Sequence, residues 1–333
     1  MSPRRHSLAW SDRLVQLALL ILLGSLAGCL HLKQPLDSPG PRLYLPEKGT
    51  DLSRRRAPAF LVHNPQQAYN RIGRPFAGLD DLGGEIVAIN THHPSMYWQY
   101  LLSNNFAWAY SNIVYRVHFP ATPPSLVPFF IGAGQNLGLL VIVTLDAQER
   151  PVLITTVGTC GCYVSLTATD HLPPAALPVG WSDQPQQIYG ETLPARLDFA
   201  GKRDPRLLVV VRPGEHRVMD LRVVESAELD HYPDRQAIEL LPNAALRHLA
   251  LPGGGETSFF YPPGWPLGGH VKGAWKPWET LLMSWFSLDG LVGMDKDYPD
   301  PDNPFYTSLK PWARADSDLR DFPRFLRYWG WRL

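Results

Sequence analysis

Two apolar runs near the middle of the chain form its clearest hydrophobic pattern. Residues 137–145 read Leu-Gly-Leu-Leu-Val-Ile-Val-Thr-Leu, and residues 151–157 read Pro-Val-Leu-Ile-Thr-Thr-Val. The polar segment 146–150 lies between them. Runs rich in β-branched residues that are joined by a short polar link are typical of an antiparallel hairpin. Because neither run alternates with polar residues, we expect both strands to be buried on two faces, in the middle of a sheet.

Further elements are predicted before and after this hairpin in the sequence. Residues 207–211 and 218–224 indicate a second hairpin, whose turn contains Pro213 and Gly214. The aromatic-rich segment 97–115 is interpreted as a buried helix that leads into a strand. Alternation along that strand puts Arg116 and His118 on one face.

The amino-acid composition of the chain changes at the glycine-rich segment 252–255, beyond which Trp, Pro and Phe are frequent. Amphipathic patterns predict helices over 278–290 and 316–329, the second with Asp316 as its N-cap. We therefore expect an α+β fold, in which an antiparallel sheet, as a sandwich or half-barrel over 59–250, packs against an aromatic-rich helical part over 251–333. The acidic segment 295–303 is interpreted as a solvated loop, since it fails the EF-hand pattern.

Composition narrows the function classes. The formal net charge is zero, so no nucleic-acid partner is expected. The chain contains 33 prolines, which argues against a helical bundle. It also contains 11 tryptophans; any that lie at the surface would suit binding of a sugar or a partner protein.

The N-terminus has the parts of an export signal. Arg4, Arg5 and Arg13 precede an apolar run over 14–26, which is shorter than the roughly 20 residues of a transmembrane helix. The run ends in Leu26-Ala27-Gly28-Cys29, which resembles the lipobox of bacterial lipoproteins. The resemblance implies that residues 1–28 are a signal peptide and that Cys29 becomes the lipid-bearing first residue of the mature protein.

The same resemblance implies a location. Residue 30 is Leu rather than Asp, which favours the periplasmic face of the outer membrane. Residues 29–58 begin with a stretch rich in proline and polar residues, so we expect a flexible tether between the membrane and the globular part.

Cys160 and Cys162 follow the predicted strand 151–157 and are the only other cysteines. In an oxidising compartment they could form a disulfide, with Gly161 allowing the backbone to bend. They could instead bind Zn or Cu together with His118 from a neighbouring strand. Two inert thiols, or a nucleophilic thiol with a histidine base, are the remaining interpretations.

Three functions follow from these observations. The first is a non-catalytic, lipid-anchored module that binds an envelope protein or glycan. The second is a periplasmic metal-binding or redox protein that uses Cys160, Cys162 and His118. The third is an enzyme that acts on envelope glycan through its tryptophans.

Overall fold

The polar turns of the sequence fix the strand boundaries of the main sheet. A computed structural model describes Leu36 and residues 40–103, 110–298 and 303–333. The predicted signal peptide and Cys29 lie outside these residues. In the central hairpin, the Asp146 carboxylate accepts hydrogen bonds from the N–H groups of Gln148 (2.9 Å) and Arg150 (2.8 Å). This closes the turn and confirms the predicted antiparallel pair, in which Leu140 faces Val157.

The described residues form seventeen strands and four α-helices, together with short 3₁₀-helices. The strands are β1 (Arg42–Pro46), β2 (Ala59–Val62), β3 (Arg74–Leu79), β4 (Glu85–Asn90), β5 (Ser95–Ser103), β6 (Tyr110–Thr122), β7 (Gly134–Leu145), β8 (Pro151–Gly158), β9 (Ser165–Thr169), β10 (Gln186–Ile188), β11 (Glu191–Leu193), β12 (Arg196–Leu197), β13 (Pro205–Val211), β14 (Val218–Glu225), β15 (Arg235–Pro242), β16 (Leu249–Ala250) and β17 (Glu256–Thr257). The α-helices are α1 (Leu52–Arg55), α2 (Ser226–Leu229), α3 (Pro277–Ser287) and α4 (Phe322–Tyr328). The 3₁₀-helices are Ala68–Asn70, Pro174–Ala176, Asn243–Arg247 and Pro311–Ala313.

Eleven of the strands form one large sheet, in the order β12-β9-β8-β7-β6-β5-β15-β1-β2-β13-β14. Neighbours from β9 to β5 are antiparallel, whereas β15 is parallel to both β5 and β1. The two outermost strands, β12 and β14, approach each other, so the sheet is nearly closed and barrel-like. The expected α+β fold with a half-barrel sheet is therefore confirmed.

The apolar core of this sheet lies on its concave side. Side chains from strands all around the sheet meet there, among them Tyr44, Phe60, Tyr115, Val141 and Val209. The second predicted hairpin is also present, as β13 and β14, with Val209 facing Leu221.

The predicted helix in 97–115 is wrong. Residues on both sides of 104–109 belong to strands, β5 and β6, which pair antiparallel with Met96 opposite Val117. Aromatic and β-branched residues favour a pleated surface as readily as a buried helix, and short apolar runs do not distinguish the two.

The first strand of the fold also begins earlier than expected. Strand β1 lies inside the predicted tether 29–58, between β2 and β15 in the sheet. Leu43 and Tyr44 are both fully buried, so this short strand contributes to the core despite the prolines around it.

The C-terminal part covers the outer face of the sheet around β6–β9. Phe305, Phe322 and Phe325 pack there against Leu140 and Val152. Helix α4 is shorter than predicted because Asp321, not Asp316, caps it, and Pro323 occupies its first turn. None of the helices in the described part of the chain is both long and apolar enough to cross a membrane.

Candidate functional site

A cavity of about 350 Å³ lies at one end of the large sheet. The end of β6, the start of β7 and the end of β8 meet there, because Thr122 pairs with Gly134 and Leu139 with Gly158. The turn between β13 and β14, residues 189–190, one side of α3 and the C-terminal part also contribute to the wall. Segments from across the chain therefore build this site.

Apolar side chains form much of the cavity wall. They come from the loop between β6 and β7, from β7, from α3 and from the C-terminal part: Phe129, Ile131, Leu137, Leu139, Met283 and Leu309. Such a wall favours an apolar ligand body, since burying apolar surface contributes about 25 cal/mol per Å².

Glu279, in the first turn of α3, brings a carboxyl group to this cavity. Burial, reinforced by the negative charge of Asp295, raises its pKa above the usual glutamate value, although Lys276 opposes the shift. Gly293, with φ of 80°, lies directly against the carboxyl, and a Cβ at that position would collide with it. Within the described residues, no hydrogen bond to the Glu279 side chain is formed, so its polar atoms are available to a ligand.

Lys276 differs from Glu279 because it has a charged partner. Its Nζ atom lies 3.0 Å from Oδ2 of Asp295, and both side chains are buried. The hydroxyl of Thr159 also donates to Asp295. The predicted solvated loop 295–303 is thus wrong at its start, since residues 295–297 are buried. Their charges have partners in the fold, which a charge count along the chain does not reveal.

A second polar group of the wall is Glu215, in the turn between β13 and β14. Arg217 donates to its carboxylate, and the Tyr163 hydroxyl donates to it over 3.4 Å. Burial nevertheless raises the pKa of Glu215. Behind it, Glu191 accepts from Nε of Arg217 at 3.1 Å and from Nη2 of Arg212 at 2.9 Å. The two arginines hold the wall in place through buried, charge-assisted hydrogen bonds.

Cys160 and Cys162 also line the cavity, and they form a disulfide with their Cα atoms 5.5 Å apart. Gly161 makes this approach possible through its φ of 90°, a conformation that glycine adopts without penalty. A Cβ on Gly161 would collide with the carbonyl oxygen of Tyr306. The pair is therefore packed under the C-terminal part, with Cys162 half-buried at the cavity.

His118 does not join the two cysteines. It is fully buried, its Nε2 accepts a hydrogen bond from Nε of Arg116 (2.9 Å), and its ring packs edge-on against Phe259. Burial and the neighbouring Arg116 lower its pKa well below the usual histidine value. Across the described part of the chain, no three His, Cys, Asp or Glu side chains are grouped to hold a metal ion. The structure thus does not assemble the predicted Zn or Cu site from Cys160, Cys162 and His118.

His216 is a cavity residue that the sequence pattern did not indicate. Its ring stacks on Phe119 at a centroid distance of 4.1 Å, and burial lowers its pKa to about 3. The imidazole is therefore neutral at physiological pH. Glu279 and Glu215 were missed as well, because neither belongs to a motif and only the tertiary fold brings them to one cavity.

Comparison with known proteins identified no homologue. No family model matches the chain, and searches of the curated proteins and of the solved structures found no similar protein. The cavity itself is therefore the basis for a functional proposal.

Proposed function

We propose that the protein is a lipid-anchored binding protein of the bacterial cell envelope, which holds a small amphipathic molecule in its cavity. The cavity carries this proposal. Its volume of about 350 Å³ falls in the range of roughly 300–1,000 Å³ of small-molecule sites, and such sites combine apolar walls with a few placed polar groups. The anchor rests on the lipobox-like sequence that ends at Cys29.

The polar groups suggest the chemistry of the ligand. Glu279 offers a half-buried carboxyl without a hydrogen-bond partner among the described residues. A hydrogen-bond donor on the ligand, such as an amine, amide or hydroxyl, would pair with it. The ligand would then place its apolar body against Phe129, Met283 and Leu309, which lie around the same space.

A blocked cavity tests the proposal. Gly132 lines the cavity, and a Cβ built on it meets no atom within 4 Å, so Gly132→Phe should fit while filling the ligand space. Gly253→Phe is the matched control, because Gly253 is exposed, has equally open surroundings and lies away from the cavity. We expect the fluorescent amine N-phenylnaphthylamine to bind the wild type and Gly253→Phe, and to bind Gly132→Phe at least about tenfold more weakly.

Equal binding of this probe by all three proteins would contradict the proposal. Native mass spectrometry of the same preparations gives an independent measurement, since a co-purifying molecule should be present in the wild type and missing from Gly132→Phe. The anchor is tested separately by the intact mass of the membrane-extracted protein, which should show Cys29 at the N-terminus with added acyl chains. An unmodified Cys29 would overturn the envelope assignment.

One observation favours a second candidate function, thiol–disulfide exchange. The disulfide faces the cavity, so a substrate thiolate could attack one sulfur and release the other cysteine as a thiolate. A second substrate thiolate would then break the mixed disulfide, leaving the substrate oxidised and both cysteines reduced. A double Cys160→Ser and Cys162→Ser variant tests this candidate. Loss of dithiol oxidation with retained probe binding would support exchange, whereas unchanged activity would exclude it.

A further inference from the structure

Helix α3 presents its apolar side to solvent. Leu281, Trp285 and Leu288 are 65%, 64% and 74% exposed, and Trp278 precedes them at 41%. Positions 278, 281 and 285 are three or four residues apart and therefore form one stripe along the helix, and the exposed Leu288 follows as the C-cap. The opposite side carries Glu279 and buried Ser287. This distribution is the reverse of an ordinary surface helix, whose apolar side faces the core.

The loop between β6 and β7 continues the same surface. Phe129 packs against Trp278 with ring centroids 6.1 Å apart, and just before it Leu126 and Val127 are 80% and 78% exposed. We call the combined surface the apolar rim; it consists of Leu126, Val127, Trp278, Leu281, Trp285 and Leu288. Large contiguous apolar surfaces of this kind mark interaction sites.

The rim adjoins the cavity because the same two segments build both. Phe129 and Ile131 of the loop, and Glu279 and Met283 of α3, line the cavity from within. A surface that covers the rim would therefore lie next to the ligand.

The start of β1 lies at the same end of the sheet. Arg42 at the start of β1 pairs with Val62, and Val62 pairs with Val211, the last residue before the turn that brings Glu215 to the cavity. Arg42 follows Cys29 by thirteen positions (42 − 29), a length of chain that spans at most about 45 Å. An acylated Cys29 would keep the start of β1, and with it this end of the sheet, within about 45 Å of the membrane.

We propose that the apolar rim docks on the bilayer interface and that the cavity takes its ligand, an amphipathic lipid-derived molecule, from that bilayer. Tryptophan and leucine on one side of a surface helix are typical of helices that lie in the interfacial plane of a membrane. The inference rests on the proposed function, since both the lipid anchor and the binding cavity are part of its argument.

Lipid photo-crosslinking tests the docking. The full-length acylated protein is reconstituted in vesicles of phosphatidylethanolamine and phosphatidylglycerol that contain a phospholipid with a diazirine in its acyl chain. Peptide mapping should place most adducts in segments 123–131 and 277–288. Burial of one large apolar side chain changes a binding equilibrium by about tenfold or more. The yield of these adducts should therefore be at least tenfold lower in the double variant Leu281→Glu and Trp285→Glu.

Val179→Glu is the matched control, since Val179 is 88% exposed on a segment that does not line the cavity. Its adducts in the rim should equal those of the wild type. Adducts that avoid the rim, or that persist in the double variant, would overturn the docking. A rim that instead mediates self-association would show as a concentration-dependent dimer in sedimentation, lost in the double variant, and would also overturn it.

Failure of the docking is distinguishable from failure of the proposed function. The intact mass reports acylation of Cys29, and probe binding by Gly132→Phe reports the cavity, both without reference to the rim. An acylated protein with a functional cavity and no lipid adducts in α3 would refute the docking alone.

Discussion

Two charged residues one turn apart at the start of α3 have different surroundings. Lys276 is paired with Asp295, whereas Glu279 faces the cavity without a hydrogen bond from the described residues. Burial of an unpaired carboxylate favours its protonated form. The pKa of Glu279 is therefore raised by the position of this residue in the cavity wall, and a hydrogen-bond donor on a ligand would change it.

Glu279→Gln should stabilise the protein at neutral pH. A folded-state pKa above the usual 4.5 means that the native state binds more protons than the unfolded chain, so Glu279 lowers stability as pH rises through that interval. The gain from glutamine should exceed the spread of about 0.5 kcal/mol of surface substitutions and fade below pH 4.5. Urea unfolding across this pH range measures it, with exposed Glu47→Gln as the control. An equal gain at every pH would contradict the argument.

Residues of the candidate site could be predicted from the sequence only where they lie close together in the chain. Cys160 and Cys162 could be considered as a pair because their spacing limits the distance between them, and Gly161 explained how the backbone could turn. Whether His118 lies near these cysteines depends on how side chains pack across three strands. The alternation of residues along one strand does not predict that packing. Glu279 carries no local signal at all.

At the scale of elements, polar turns identified the two hairpins, but short apolar segments were ambiguous. The turn around Asp146 marked both strand ends, whereas the residues of β5 fitted a helix and a strand equally well. Strand β1 was missed for a related reason. It has only five residues, and its burial comes from partners, β2 and β15, that are far away in the sequence.

Two leucines, Leu36 before β1 and Leu43 within it, test the role of this strand. Leu43 is fully buried in the sheet, while Leu36 is 48% exposed. Leu43→Ala should lower the free energy of unfolding by about 2–5 kcal/mol, since it removes apolar contacts and leaves a cavity. Leu36→Ala should change it by less than about 0.5 kcal/mol. Chemical unfolding of the full chain, followed by tryptophan fluorescence, measures both values, and similar values for the two variants would mean that β1 is not part of the core.

At the scale of the whole molecule, the C-terminal part and the large sheet share one apolar core. Phe322 and Phe325 of α4 pack with Val114 of β6 and Leu166 of β9. The change of composition near residue 252 therefore marks a change of structure type within a common core. This arrangement also gives the cavity its last wall, because Tyr306 and Leu309 close it from the C-terminal side.

A shared core predicts a single unfolding transition that depends on α4. Phe325 is fully buried, so Phe325→Ala should destabilise the protein by about 3–5 kcal/mol. Phe76 on β3 is 40% exposed, and Phe76→Ala should cost less than about 1 kcal/mol. Far-UV circular dichroism, which follows the sheet, and tryptophan fluorescence, to which the Trp-rich C-terminal part contributes strongly, should move together to lower denaturant concentration in Phe325→Ala. If only the fluorescence transition moved, the C-terminal part would be unfolding on its own, and the cavity would then lose one wall without loss of the sheet that carries the rest.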